Sequence, residues 1–122
     1  MIYLFNTNIV PAASIVRVTE ISKEQAIATL KDQSFTSAIG HEATAQAFST
    51  ILTAKVDVNR IHANPQPFDK AISLKVNGRL AEGQILTLEE LNSIGYTLYL
   101  MEFFPSDLVI VPIEHSTSVI NY

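Results

Sequence analysis

The stretch Phe35-Thr36-Ser37-Ala38-Ile39-Gly40-His41-Glu42-Ala43-Thr44 decides how the rest of the chain is read. Phe35, Ala38 and Ile39 are the apolar residues of a short buried strand. Gly40 is a pivot, because glycine reaches backbone angles that other residues resist. From Glu42 to Leu52 the composition suits a helix, with Ala45, Phe48 and Leu52 recurring on one face at three-to-four spacing. His41 therefore stands at the mouth of a helix. A helix N-terminus offers unpaired N–H groups and the positive end of the macrodipole, which suits a phosphate, and imidazoles as a class titrate near neutrality. Strand, pivot and histidine-led helix together mark a candidate place for phosphate chemistry.

Working outward toward the N-terminus, Ile2–Phe5 reads as a first strand that ends at Asn6-Thr7-Asn8. Asparagines there are either turn formers or ligand contacts. After the break at Pro11, Ser14–Glu20 reads as a second strand rich in β-branched residues. Ser22-Lys23-Glu24-Gln25 fits a capping box, opening a helix to about Asp32 with Ala26, Ile27 and Leu30 as its apolar stripe. Toward the C-terminus, Lys55–Ile61 alternates, with Val56 and Val58 on one side, and predicts a short strand. The two prolines of His62–Pro67 make that segment a loop. Ala71–Val76 is a strand with Ile72, Leu74 and Val76 on one face, followed by an Asn77-Gly78 turn and the compact connection Arg79–Gly83. Thr87-Leu88-Glu89-Glu90 is a second capping box, and Gly95 closes its short helix. Tyr96–Phe104 and Leu108–Ile113 read as strands around a Pro105-Ser106-Asp107 turn, and the tail after Glu114 carries no pattern. Strands that interleave with helices and then run consecutively predict a single α/β domain over residues 1–122. Its expected form is two or three layers around one mixed sheet of about five or six strands, flanked by helices.

Composition narrows the function. Hydrophobic residues make up 48% and charged residues 16%, a core-rich chain whose thin charged coat leaves apolar surface for a partner copy and is also compatible with a compact monomer. The net charge is −4, with three arginines (Arg17, Arg60, Arg79) and five lysines. A protein that tracks long nucleic acid carries a basic face, so any nucleic-acid ligand is expected to be short and held by a few placed groups. The absence of cysteine excludes disulfides, thiolate nucleophiles and cysteine metal sites. Met1–Phe5 lacks a basic leader, and no apolar run approaches the ~20 residues of a membrane span. The expectation is a cytoplasmic protein without membrane partners.

Familiar catalytic patterns are missing. His41, His62 and His115 are isolated, and His41-Glu42 lacks the second histidine of an H-E-x-x-H zinc site. No G-x-S-x-G elbow is present, and Gly40, Gly78, Gly83 and Gly95 spell neither a P-loop nor a dinucleotide fingerprint. What remains is His41 at its helix mouth, Arg60 after a short strand, and Arg79 with Glu82 after a turn. Each has a plain structural alternative: His41 as a helix cap, Arg60 paired with Asp57 or a helix end, Arg79 with Glu82 as a surface ion pair of under ~1 kcal/mol.

Four segments then carry a resemblance: Tyr3-Leu4-Phe5-Asn6, Ser37-Ala38-Ile39-Gly40-His41-Glu42-Ala43-Thr44, Val58-Asn59-Arg60-Ile61, and Gly78-Arg79-Leu80-Ala81-Glu82-Gly83-Gln84-Ile85-Leu86-Thr87. Together, in order and spacing, they resemble the viral and mobile-element family that includes type III anti-CRISPR ring nucleases and a related cellular ring nuclease. The likeness spans roughly Ile2 to Phe104 and leaves 105–122 outside it. It implies an α/β homodimer whose interface holds cyclic tetra-adenylate and cuts it to linear di-adenylate without metal or other cofactor, acting in the cytoplasm, the host's if the owner is viral. By position, His41 would be the catalytic acid, and Arg79 and Glu82 would shape the active site. Asn6 and Arg60, with Gly40 and Thr44 at the helix mouth, would contact the ligand. Ala43 stands where some viral members have serine, and the Pro65/Pro67 loop has no counterpart.

The implied chemistry suits these residue types. In RNA a 2′-hydroxyl can attack its neighbouring phosphorus, so the protein need only hold the in-line geometry, offset charge on the phosphate and protonate the leaving oxygen. Those tasks fall to the bound geometry, to Arg79 with the helix N-terminus, and to His41; Glu82 would orient either Arg79 or His41. A ring of four identical nucleotides has a two-fold axis that a C2 dimer matches. The competing expectations are a sponge or sensor that binds the ring without cutting it, and a regulatory or structural protein that meets no nucleotide.

Overall fold

Strand β1 (Ile2–Phe5) runs between two parallel neighbours and sets the frame of the molecule. The computed structural model describes residues 1–8, 15–80, 83, 85–106, 108–113 and 116–121. After β1 come β2 (Ile15–Ile21), α1 (Lys23–Leu30), β3 (Thr36–Ser37), α2 (Glu42–Leu52), β4 (Lys70–Val76), α3 (Leu88–Ile94), β5 (Tyr96–Phe104), β6 (Leu108–Ile113) and β7 (Ser116–Asn121). Five strands form one mixed sheet in the order β2-β5-β4-β1-β3. β1 pairs in parallel with β3 (Leu4 opposite Ser37) and with β4 (Leu4 opposite Ile72). β5 is antiparallel to both β4 and β2.

Strand alternation divides the core into two. Leu4, Ile72, Leu74 and Leu98 face the helices, where they meet Ala26 of α1, Ala45, Phe48, Ile51 and Leu52 of α2, and Leu91 of α3. Phe5, Ala71, Met101 and Phe103 pack on the other face, with Tyr3, Val16 and Ala63 against them. The described helices thus lie on one face, a two-layer arrangement. Both capping boxes form as their sequences dictate: Ser22 with Gln25 opens α1, and Thr87 with Glu90 opens α3. At the start of β5, partial burial and the Glu24 carboxylate raise the Tyr96 hydroxyl above its ordinary value of 10.0.

Several details depart from the sequence expectation. Lys55–Ile61 is not a strand: side chains replace the ladder, with Ser37 Oγ donating to the Asp57 carbonyl at 2.6 Å and Asn59 Nδ2 to the Ser37 carbonyl at 2.8 Å. Val56 is buried while Val58 is exposed, so the two valines do not share a face. α1 ends at Leu30 rather than Asp32, which takes the left-handed φ of 57°. The Phe35–Ile39 strand contracts to Thr36–Ser37. β6 leaves the main sheet and pairs antiparallel with β7, a strand in the tail where no pattern was legible. Ser14 and Asp107, ends of an expected strand and turn, lie outside the described residues.

Gly95 caps α3 at φ 91° and ψ 140°, and a Cβ there would lie 2.8 Å from Asn77 Nδ2. Backbone of this kind costs a non-glycine residue about 1–3 kcal/mol. Gly95→Ala is therefore expected to lower the free energy of unfolding by that amount in urea denaturation; an unchanged midpoint would contradict the strain assigned to this joint.

Candidate functional site

Because β1, β3 and β4 point the same way, their carboxyl ends lie side by side, and the residues that follow them converge. Asn6-Thr7-Asn8 follows β1, Gly40-His41 follows β3, and Asn77-Gly78-Arg79 follows β4. β1 is directly connected in sequence to neither of its neighbours in the sheet, and open α/β sheets take ligands outside carboxyl ends of this kind. A crevice of about 630 Å³ lies here, lined by Asn6, His41, Thr44, Lys75 and Arg79 among others.

The charge of this crevice runs against that of the chain. The protein carries a net charge of −4, yet the charged side chains among the described lining residues are Lys75 and Arg79, with no carboxylate beside them. Among the described residues, neither cation forms an ion pair. Such a lining favours an anion, with the guanidinium able to grip two oxygens of a phosphate.

His41 is the N-cap of α2, in extended conformation, with its carbonyl accepting from the Ala45 N–H at 3.1 Å. Its side chain does not cap the helix; the Thr44 hydroxyl lies 3.3 Å from Nδ1 instead. That contact engages one ring nitrogen, and among the described hydrogen bonds Nε2 has no partner. The helix is anchored on the core, into which it sends Ala45, Ala47, Phe48, Ile51 and Leu52.

Of the residues expected at the site, Asn6, His41, Thr44 and Arg79 line the one crevice. Gly40 and Arg60 are not among its lining. Arg60 Nε donates to the Gly40 carbonyl at 2.9 Å, so in a single chain it braces the backbone before His41. The alternative partner Asp57 is approached instead by Lys55, 3.9 Å away. Glu82 lies outside the described residues. Among the described residues no three histidine, aspartate or glutamate side chains gather as a metal site.

Sequence reasoning left Asn8 open between turn former and ligand contact and missed Ser73, Lys75 and Tyr99; all four line the crevice. Ser73 is buried, and its hydroxyl donates to Asn8 Oδ1, which fixes that carboxamide. The alternation of β4 held part of the signal: with Ile72 and Leu74 turned to the helices, Ser73 and Lys75 must face the other way. A serine and a lysine there, just before the Asn77-Gly78 turn, are polar residues at the mouth of a strand.

A family model described as STIV B116-like matches residues 2–98. Uncharacterized protein ORF117 of Acidianus two-tailed virus is 40% identical over 105 residues, covering 81% of this chain and 90% of that protein. Uncharacterized protein 26 of Sulfolobus islandicus filamentous virus (isolate Iceland/Hveragerdi) is 35% identical over 107 residues, covering 84% and 91%. Uncharacterized protein YddF of Bacillus subtilis (strain 168) is 28% identical over 102 residues, covering 82% and 94%. Among solved structures, B116 of Sulfolobus turreted icosahedral virus superposes with a TM-score of 0.71 at 20% identity, covering 82% of this chain and 97% of that one, a likeness of fold.

The cationic lining predicts a measurable affinity for small polyphosphates. Titration with inorganic pyrophosphate should move the amide resonances of Asn6–Thr7 and His41–Thr44. Replacing both Lys75 and Arg79 by alanine should weaken binding at least about tenfold, since a hydrogen bond to a charged group contributes about 1.5–3 kcal/mol. Equal affinity in wild type and double variant would contradict the crevice as an anion site.

Proposed function

This chain belongs to the STIV B116-like family, and proceeding from that membership we propose that it is a metal-independent ring nuclease. Its substrate would be cyclic tetra-adenylate, cleaved to linear di-adenylate, and its effect would be to switch off type III CRISPR signalling. One observation carries the reading: a histidine at a helix N-terminus shares a cationic crevice with Asn6, Lys75 and Arg79 at the carboxyl end of a parallel strand trio. The resemblance of Gly78–Thr87 and of Ser37–Thr44 to ring nucleases supports the same reading.

The reaction uses the substrate's own nucleophile. A 2′-oxygen forms a bond to the neighbouring phosphorus, the bond from phosphorus to the 5′-oxygen breaks, and a 2′,3′-cyclic phosphate forms. The proton of the 2′-hydroxyl leaves to water, and His41 supplies a proton to the departing 5′-oxygen. Arg79, Lys75 and the unpaired N–H groups at the start of α2 offset the charge that gathers on the phosphoryl oxygens. Asn6 is suited to holding a phosphate or ribose oxygen, and Thr44 to fixing the imidazole through Nδ1. Glu82 takes part as the residue that orients Arg79 or His41.

The two-fold symmetry of a four-nucleotide ring calls for two copies of this crevice, one at each of two opposite phosphates. A homodimer would double the count of Lys75 and Arg79 around a ring that carries four negative charges. Two cuts then yield two identical dinucleotides.

Incubation with cyclic tetra-adenylate in excess EDTA, with products separated by liquid chromatography and identified by mass spectrometry, tests the proposal. Linear di-adenylate is expected from wild type. Loss of a general acid is worth about 10²–10⁴-fold, so His41→Ala should slow cleavage by that factor while ring affinity changes little. Binding without cleavage by wild type would replace the enzyme with a sponge or sensor, and absence of binding would remove cyclic oligoadenylates from consideration.

A further inference from the structure

The strand that delivers His41 is two residues long and lies at the edge of the sheet, so its outer side needs another partner. Residues Val56 to Arg60 fill that place with a strap held mostly by side chains. Ser37 Oγ donates to the Asp57 carbonyl at 2.6 Å. The Asn59 N–H donates to the Ile39 carbonyl at 2.8 Å, and Asn59 Nδ2 donates to the Ser37 carbonyl at 2.8 Å. Arg60 Nε then donates to the Gly40 carbonyl at 2.9 Å. The carbonyls of Ser37, Ile39 and Gly40 are thus all occupied by two neighbouring residues of the strap.

The other end of the strap is anchored on the helix that His41 opens. The Val56 N–H donates to Ser49 Oγ at 3.0 Å, and Ser49 Oγ reaches the carbonyls of Ala45 (2.9 Å) and Val56 (3.2 Å). His41 is therefore held from both sides, by the chain that enters it and the helix that leaves it. Gly40 fits the same device. A Cβ on Gly40 would sit 3.2 Å from Arg60 Cγ, so the stem of Arg60 lies where a side chain at position 40 would go.

We infer that Asn59 and Arg60 are positioning residues, which clamp the Ser37–Gly40 backbone and through it set where the His41 imidazole stands in the crevice. This inference rests on the proposed ring cleavage for its kinetic consequence, but not for its structural one. Asn59 contributes both a backbone and a side-chain donor, so alanine removes one bond and leaves the other. Arg60 is exposed and holds a single bond to Gly40, so its replacement disturbs the core little.

Two measurements test it on Asn59→Ala, Arg60→Ala and Arg60→Lys. The first is the ¹H–¹³C ring spectrum of the free protein, with the His41 signal identified by its loss in His41→Gln. In both alanine variants the His41 signal is expected to shift or broaden while the Tyr99 ring signal on β5 stays. Arg60→Lys, which keeps the stem and a donor, should restore it in part. An unmoved His41 signal in folded Arg60→Ala and Asn59→Ala would overturn the inference, whether or not the wild type cleaves anything. The second is single-turnover cleavage of cyclic tetra-adenylate beside its dissociation constant. A misplaced catalytic group costs up to about 10²-fold, so the rate should fall about 10- to 100-fold with affinity within about threefold. A loss of affinity as large as the loss of rate would make these residues ligand contacts and overturn the positioning role. If Asn59→Ala does not fold, Arg60→Ala and Arg60→Lys decide both measurements alone.

Discussion

The parallel pairing of β1 with β3 on one side and β4 on the other is the constraint from which the candidate site follows. Three strands that run the same way must end at the same edge of the sheet. The chain after each is then forced to turn within reach of the others: Asn6 after β1, His41 after β3, Arg79 after β4. The pairing also explains why α2 begins where it does. The segment from β3 to β4 has to cross over β1, and its helix packs Phe48, Ile51 and Leu52 on the helix-facing core while its N-terminus stays at the crevice. Register matters as much as direction. Tyr3 opposite Ala71 and Leu4 opposite Ile72 put Ser73 and Lys75 on the face that carries Asn8 and Tyr99; a slip by one residue would turn them to the helices.

Electrostatics gives this geometry a chemical direction. An acidic chain has little long-range attraction for nucleic acid, and local placement matters instead. Lys75 and Arg79 line the same crevice as the first turn of α2, whose unpaired N–H groups add partial positive charge. The imidazole sits within that field with Nδ1 near Thr44, so one ring nitrogen is steadied and the other is left for proton traffic. A site assembled this way is suited to a compact anion held in a fixed orientation, and to chemistry in which the substrate brings its own nucleophile.

Much of this was legible in the residues. The capping boxes at Ser22 and Thr87 announce their helices, because the hydroxyl and the amide or carboxylate three positions later satisfy backbone donors within the same turn. The α2 boundaries followed from Gly40 and the spacing of Ala45, Phe48 and Leu52 in the same way. What could not be read is what depends on distant partners. Asn59 stood inside the expected 55–61 strand with no role of its own, and that strand failed because side chains, Asn59 on the Ser37 carbonyl among them, took over much of its pairing. Lys75 lies on the strand face opposite Ile72 and Leu74, and only the position of β1 turns that side into the wall of a crevice. Arg60 was assigned to a ligand, whereas within the chain its resolved partner is a carbonyl one residue before the histidine.

The proposal that a two-fold pair of these crevices acts on a ring whose own 2′-hydroxyls are the nucleophiles is tested most directly by one substitution in the substrate. Native mass spectrometry with the 2′-deoxy form of cyclic tetra-adenylate should show one intact ring held by two protein chains, persisting over the time in which the ribose ring is consumed. Cleavage of the deoxy ring, or a complex of one chain with one ring, would contradict it.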